Sequence, residues 1–391
     1  MVSSHRVLIV ADDLTGAMDS AGPFAALGIE TWVVAVPMRC NPVSLRSARV
    51  VSVNTDSRHL PAAEAAARLD RIVRHLGADD FDIVVKKIDS TLRGNVVAET
   101  MALLDAAGRR EAVVAAAFPA QGRTVRGGVV HVDGKPLAQT AFAKDALSPP
   151  PLSPLQEVFT AAKPGLRVRA AAPADAFEAG TDIWIADSEI DADLTGIVEA
   201  FASRMSRVLM VGSAGLTRAL AAVCFDAHPA PAARQHVTGT IVFAVGSRAA
   251  RSAEQVEALA AEPETTVLRA PNGCLRCAEI PAARNLVLKA TADDAGYEGD
   301  AERVAADMAR HALDVVRGAH AQALVATGGD TAIAILAASD NPALQVLGDL
   351  MPGIPYARIR LDGTSLWLVT KAGGFGGRDT FRDVARRLRG N

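Results

Sequence analysis

Short apolar runs alternate with amphipathic stretches along almost the whole chain. The runs are rich in Val, Ile, Leu and Ala, and they are apolar at successive positions rather than at every second one. That is the pattern of strands buried on both faces of a parallel sheet. In the first half they fall at Val7–Val10, Ile29–Val36, Val50–Val53, Phe81–Val85, Ala112–Phe118, Asp182–Ala186 and Arg207–Val211. Between them the spacing predicts a helix that stops near Gly28, a second over Ala62–Leu76, a third over Val96–Ala106 and a fourth over Leu194–Met205. The second of these is bracketed by Pro61 and Gly77, a helix-opening proline and a helix-closing glycine. After Phe118 the alternation breaks into a loop, Pro119–Gly128, and a hairpin. The hairpin is Val129–Val132, an Asp133-Gly134 turn, and Lys135–Leu137.

The second half resumes the alternation. Strands are predicted at Thr240–Val245, Thr266–Leu268, Leu286–Lys289, Ala323–Ala326 and Leu366–Thr370, and helices at Ala253–Ala261, after Thr331, at Ala301–Arg317 and at the end of the chain. The Pro/Ala-rich stretch Pro229-Ala-Pro-Ala-Ala-Arg234 reads as a linker. The expected fold is therefore α/β with two domains, 1–233 and 234–391. Each is a mostly parallel sheet flanked by helices, with the active site in the cleft between them.

Composition narrows the partners. Of 391 residues, half are hydrophobic, enough for two cores, whereas aromatics make up 4% and net charge is −3. Scarce aromatics and the absence of a basic run argue against a nucleic-acid partner or a membrane surface. No apolar stretch approaches the roughly 20 residues that span a bilayer. The N-terminus runs from Met1 straight into a strand without a signal pattern, so a cytoplasmic location is expected. Cys274 and Cys277 form a lone C-x-x-C without a second pair, which reads as two ordinary thiols.

Candidate chemistry sits just after the strands, where open α/β sheets bind ligands. In the first half Asp12, Asp13 and Thr15 follow one strand, and Asp56 and Arg58 follow another. Lys86, Lys87, Ile88, Asp89, Ser90 and Arg93 follow a third. If these strands are neighbours, four acids, hydroxyls and four cations converge on one edge. That suits a small, hydroxylated anion: the cations hold a carboxylate, and an acid serves as general base or accepts hydrogen bonds from hydroxyls. One of Asp12 and Asp13 is equally suited to capping the next helix. In the second half three glycine-bearing junctions follow strands: Gly246-Ser247, Thr327-Gly-Gly-Asp-Thr331 and Lys371-Ala-Gly-Gly-Phe-Gly-Gly377. Glycines let a backbone approach phosphate, Asp330 and Thr331 suit phosphate or Mg²⁺, and Lys371 is placed to meet a nucleotide phosphate. Neither a Walker loop nor a dinucleotide fingerprint is present, which disfavours a nicotinamide dehydrogenase.

These motifs resemble those of the four-carbon acid sugar kinase family. The resemblance is carried in order by Ala11-Asp-Asp-Leu-Thr-Gly-Ala17, Lys87-Ile-Asp-Ser-Thr-Leu-Arg-Gly-Asn95, Phe118-Pro-Ala-Gln-Gly-Arg-Thr124 and His131-Val-Asp-Gly134. It continues through Gly246-Ser247, Thr327–Thr331 and Lys371–Gly376. It implies an N-terminal acid-sugar domain and a C-terminal ATP domain, with ATP and Mg²⁺ phosphorylating a terminal hydroxyl of a short, about four-carbon acid sugar. Carried over, Asp12, Arg58, Lys86, Lys87, Ile88, Asp89, Ser90 and Arg93 bind substrate. Ser247, Gly328, Gly329, Asp330, Thr331, Lys371, Gly373 and Gly374 bind ATP. The base is Asp13 or Asp89. A homodimer is the default expectation. Two departures remove hydroxyls near the expected phosphates: Arg248-Ala249 where the family often has Cys and Ser, and Ala372 where it often has Ser. They keep open the alternative of an acid-sugar binding protein with a degraded ATP site.

Overall fold

The computed structural model describes residues 5–145, 148–163, 165–172, 177, 180–225, 236–276, 279–292, 301–339 and 341–390. It divides into two compact units, Met1–Val33 with Pro37–Pro229, and Val34–Val36 with Ala230–Asn391. The expected linker Pro229–Arg234 and Cys277 lie outside the described residues.

The first unit contains strands β1 (Val7–Ala11), β2 (Thr31–Val34), β3 (Val50–Asn54), β4 (Ile83–Lys87) and β5 (Glu111–Ala115). It also contains β6 (Arg123–Arg126), β7 (Val129–Val132), β8 (Lys135–Pro136), β9 (Val168–Ala171), β10 (Ile183–Ala186) and β11 (Val208–Gly212). Its helices are α1 (Leu14–Ala26), α2 (Ala62–Leu76), α3 (Val96–Ala106), α4 (Leu155–Ala162), α5 (Asp191–Phe201) and α6 (Ala214–Cys224). The main sheet runs β2-β3-β1-β4-β11-β5-β10-β9, and its interior ladders are parallel. Every residue of β1, β3, β4 and β11 is buried, as the unbroken apolar runs require. Helix α2 has the predicted bounds; Gly77 closes it in the left-handed region and donates its N–H to Val73 O at 3.1 Å.

The apolar-run criterion assigned a loop to Pro119–Gly128, where β6 pairs antiparallel with β7 and extends the expected hairpin into a three-stranded sheet. It assigned nothing to α4 and β9, which are short and half-buried. The helix expected over Leu194–Met205 begins and ends earlier, at Asp191–Phe201, and gives way to a 3₁₀ segment.

In the second unit the strands are β12 (Ile241–Val245), β13 (Thr265–Pro271), β14 (Asn285–Thr291), β15 (Ala323–Thr327), β16 (Ala343–Met351), β17 (Ile354–Leu361) and β18 (Thr364–Lys371). The helices are α7 (Ala250–Ala260), α8 (Ala301–Gly318), α9 (Gly329–Ala338) and α10 (Thr380–Leu388). The strand order is β13-β14-β12-β15-β18-β17-β16. The first five strands are mutually parallel, and β16–β18 form an antiparallel meander. The apolar-run criterion missed β16 and β17, because buried and solvated positions alternate along much of both strands. Phe243, Val325, Val369 and Phe381 anchor the core of this unit. Among the described residues no helix is long and apolar enough to cross a membrane.

Candidate functional site

In the first unit the register puts Ala11 beside both Asn54 and Lys87, and Lys87 beside Gly212. The polar residues that follow β1, β3 and β4 therefore leave the sheet at one edge. Arg58 is the hub. Its Nε and Nη2 donate to the two oxygens of Asp12 at 2.9 and 2.8 Å, and its Nη1 donates to Asp13 Oδ2 at 2.7 Å. This bidentate fork is among the strongest polar contacts available to a side chain. Asp13 also caps α1, its Oδ1 accepting from Gly16 N at 2.8 Å, so capping and site roles fall on one residue. Gly94 keeps the approach open: a Cβ there would stand 2.8 Å from Asp12 Oδ2.

The electrostatics follow from this wiring. Burial alone would raise the Asp12 carboxyl, but Arg58, Lys86 and Lys87 outweigh it and hold the group below the usual carboxylate range. Burial likewise opposes the Arg58 guanidinium, and Asp12, Asp13 and Asp89 more than compensate. Asp89 accepts from Arg93 Nε at 3.0 Å, from Arg93 Nη2 at 2.9 Å, and from both the backbone N–H and the hydroxyl of Thr91. Against its burial, those donors and Arg58 push its carboxyl well below the usual range. A carboxylate so held is a weak proton acceptor.

In the run Lys86–Arg93, which begins inside β4, Lys86, Lys87 and Ile88 are all buried. Lys86 is turned away from solvent: its Nζ lies 2.8 Å from Glu99 Oε2 and donates to Lys87 O at 2.8 Å and Val10 O at 3.4 Å. Ile88 is buried and its N–H completes the sheet edge on Gly212 O. Lys87 donates to Ile88 O at 3.0 Å, and its ammonium lies against Gly16 in the first turn of α1. Ser90 and Arg93 are half-buried.

Two residues escaped the sequence reading. Glu99 receives Lys86 on one oxygen and the Ser57 hydroxyl on the other, tying the β3 turn that carries Arg58 to α3. Its signal was an acid within the apolar stripe Val96, Thr100, Leu103. Asp19 is the lone charged residue in the apolar run of α1. Its Oδ1 is buried without a hydrogen-bond partner, and burial raises its carboxyl against the pull of Lys87 and Arg218.

In the second unit Val245, Thr327 and Lys371 lie side by side in register, so the three glycine-bearing junctions also meet at one sheet edge. They interlock closely. A Cβ on Gly246 would collide with Thr331 Oγ1, and one on Gly373 would collide with Ser247 Oγ and stand 2.8 Å from Ser247 Cβ. Gly328 has φ +102°, open to glycine, and its N–H donates to Lys371 O at 3.0 Å. Asp330 is exposed at the start of α9, while Thr331 is buried. Gly374 has open space where a side chain would be. Such a cradle of backbone and small residues fits phosphate groups. Among the described residues no three His, Cys, Asp or Glu side chains gather to hold a metal.

One unit thus offers charged side chains to a small polar molecule, and the other offers backbone to phosphates. Comparison with known proteins agrees. Residues 7–220 match the model of a sugar-binding N-terminal domain, and residues 242–381 that of a nucleotide-binding C-terminal domain. The chain is 35% identical to a D-threonate kinase of Cupriavidus necator, with 94% of each chain covered. It is 32% identical to a D-threonate kinase of Bordetella bronchiseptica, with 97% of each covered. A crystal structure from Bordetella bronchiseptica, a domain-swapped dimer with bound citrate, is 31% identical, covers 98% of each chain and superposes with a TM-score of 0.50. The chain belongs to the four-carbon acid sugar kinase family.

Proposed function

We propose that the protein is an ATP-dependent kinase that phosphorylates a terminal hydroxyl of a four-carbon acid sugar. The observation that carries this reading is the end-to-end match to D-threonate kinase, supported by the two polar sheet edges described above. The boundary between a substrate domain, 1–233, and a nucleotide domain, 234–391, is part of the proposal, as are a cytoplasmic location and a homodimer.

In the substrate unit Arg58 holds Asp12 rigidly, and the remaining lone pairs of the Asp12 carboxylate meet the sugar hydroxyls. Lys87 holds the substrate carboxylate, because it has one acceptor among the described residues, Ile88 O, and two N–H groups to spare. Lys86 supports from behind, its three N–H groups being taken. Arg93 and Ser90 complete the rim, with Asp89 fixing the Arg93 fork. Asp13, with one protein donor on each oxygen, receives the proton of the attacking hydroxyl. Phosphoryl transfer asks little more of a base than orientation.

ATP supplies the transferred phosphoryl group and Mg²⁺ neutralises its charge. Ser247, Gly328, Gly329, Thr331, Gly373 and Gly374 would cradle the phosphates, and Asp330 with Thr331 would hold Mg²⁺. The hydroxyls missing at Ala249 and Ala372 are not needed by a cradle built from backbone N–H groups. An ADP-release assay over four- to six-carbon acid sugars tests the proposal. Turnover with a four-carbon acid is expected. Thermal stabilisation by an acid sugar with no ADP released from any of them would overturn it in favour of a binding protein.

A further inference from the structure

Lys371 ends β18, on the same face as Val369, which packs in the core. Its stem passes Phe381, whose ring centroid lies 5.5 Å from Nζ. The ammonium then turns back under the loop that follows it. It donates to Ala372 O at 2.7 Å, Phe375 O at 3.0 Å and Gly373 O at 3.2 Å. An ammonium has three N–H groups, so none is left over, and the residue is 1% exposed. Helix α7 pulls the same way. Ser252 Oγ donates to Gly373 O at 2.7 Å, and Gln255 Nε2 donates to Phe375 O at 2.9 Å and Gly377 O at 2.8 Å.

Four carbonyls, those of residues 372, 373, 375 and 377, are therefore drawn inward. In a planar trans peptide the N–H of the next residue points opposite to the carbonyl. The N–H groups of Gly373, Gly374, Gly376 and Arg378 are thereby turned to the outer side of the loop, with the buried Lys371 amino group behind them; burial, with Arg251 nearby, lowers that group to about 7. Those of Gly373 and Gly374 are consecutive, as in an anion-binding concavity, while the Phe375 N–H that follows them donates within the loop to Ala372 O at 3.1 Å.

We infer that Lys371 is a positioning residue: it clasps the 372–377 loop from inside so that the loop's backbone N–H groups meet the nucleotide phosphates, and it touches no phosphate itself. This rests on the kinase reading for the identity of the ligand, but the clasp is a property of the free protein. It also differs from the role the sequence suggested, a cation reaching the phosphate directly.

The two roles separate experimentally. Amide hydrogen exchange of residues 372–378 in the nucleotide-free protein is expected to quicken in Lys371→Met, while exchange in β12 and β15 stays as in wild type. ATP affinity by calorimetry is expected to fall about 10- to 100-fold, from the loss of the three hydrogen bonds that shape the loop, with acid-sugar affinity unchanged. Lys371→Arg is expected to fail equally, since a planar guanidinium does not fit a closed pocket with three converging carbonyls. A direct phosphate ligand would instead be rescued by Arg. The milder Ser252→Ala, which removes one inward bond, guards against misfolding of the lysine variants and is expected to quicken exchange at 373–375 alone. Unchanged exchange in Lys371→Met and Ser252→Ala, or wild-type ATP affinity in Lys371→Arg, would overturn the inference. If the wild-type protein binds no ATP, the kinase reading fails, and the exchange data still decide the clasp.

Discussion

The Lys86–Glu99 pair beneath the substrate edge gives the sharpest prediction about stability. Both side chains are essentially sealed, at 0% and 1% exposure, and the pair distance is 2.8 Å. Replacing Glu99 by Gln keeps the shape and leaves an oxygen to accept from Ser57 or Lys86, but removes the countercharge. The two remaining hydrogen-bond acceptors of Lys86, the carbonyls of Lys87 and Val10, carry no net charge, water cannot enter to compensate, and the carboxylate still nearby, Asp12, is already held by the Arg58 fork. Breaking a buried pair by removing one partner costs about 3–5 kcal/mol, whereas removing the charge on both sides is often neutral. The expected loss for Glu99→Gln is near the lower end, about 3 kcal/mol, because the amide still accepts a hydrogen bond. Lys86→Met combined with Glu99→Gln removes the stranded ammonium and should recover all but about 1 kcal/mol. Urea unfolding of the four proteins of this cycle measures the coupling directly. A loss below about 1 kcal/mol in the single variant, or a double variant no better than the single, would refute a buried pair as the support of this edge. Because Glu99 also holds Ser57, next to Arg58, the single variant should raise the acid-sugar KM while leaving the ATP KM unchanged.

Other outcomes follow from the same geometry. Arg58→Ala leaves Asp12 and Asp13 facing each other without their shared cation, so acid-sugar turnover is expected to vanish in the ADP-release assay while calorimetry still finds ATP binding. Gly373→Ala drives a methyl into Ser247; overpacking of this kind costs about 1–3 kcal/mol, and ATP affinity should fall with acid-sugar binding retained. Acid stability should reflect Asp12 and Asp89, both of which are more acidic folded than unfolded. Their contribution is present above the ordinary carboxylate pKa of about 4 and is lost as pH falls through their lower folded values. Unfolding midpoints measured downward from neutral pH should show an acid-side decline that is shallower in Asp89→Asn.

The strands that build both edges were legible because parallel strands are buried on both faces, and a continuous apolar run has few other uses. Helix α2 was legible from its amphipathic spacing, and its bounds from the flanking Pro61 and Gly77. The half-buried strands β16 and β17 were not, since alternation is a weaker signal than an unbroken run. Residue types at the ends of β1, β3, β4, β12, β15 and β18 marked where chemistry belongs, and their order along the chain sufficed to identify the family.

What the chain could not state is which polar groups are already spent. Lys86 and Lys87 are adjacent and chemically identical in sequence. In the fold one faces Glu99 in the interior and the other lies against the first turn of α1, because successive residues of a strand point to opposite faces. Asp12 and Asp13 both meet Arg58, and Asp13 alone also caps α1, while Lys371 turns inward to its own loop. Sequence determined which residues reach the two sheet edges. Tertiary structure alone decided their partners, because hydrogen-bond saturation depends on groups brought together from distant parts of the chain, such as Glu99 under Lys86 and Ser252 under Gly373.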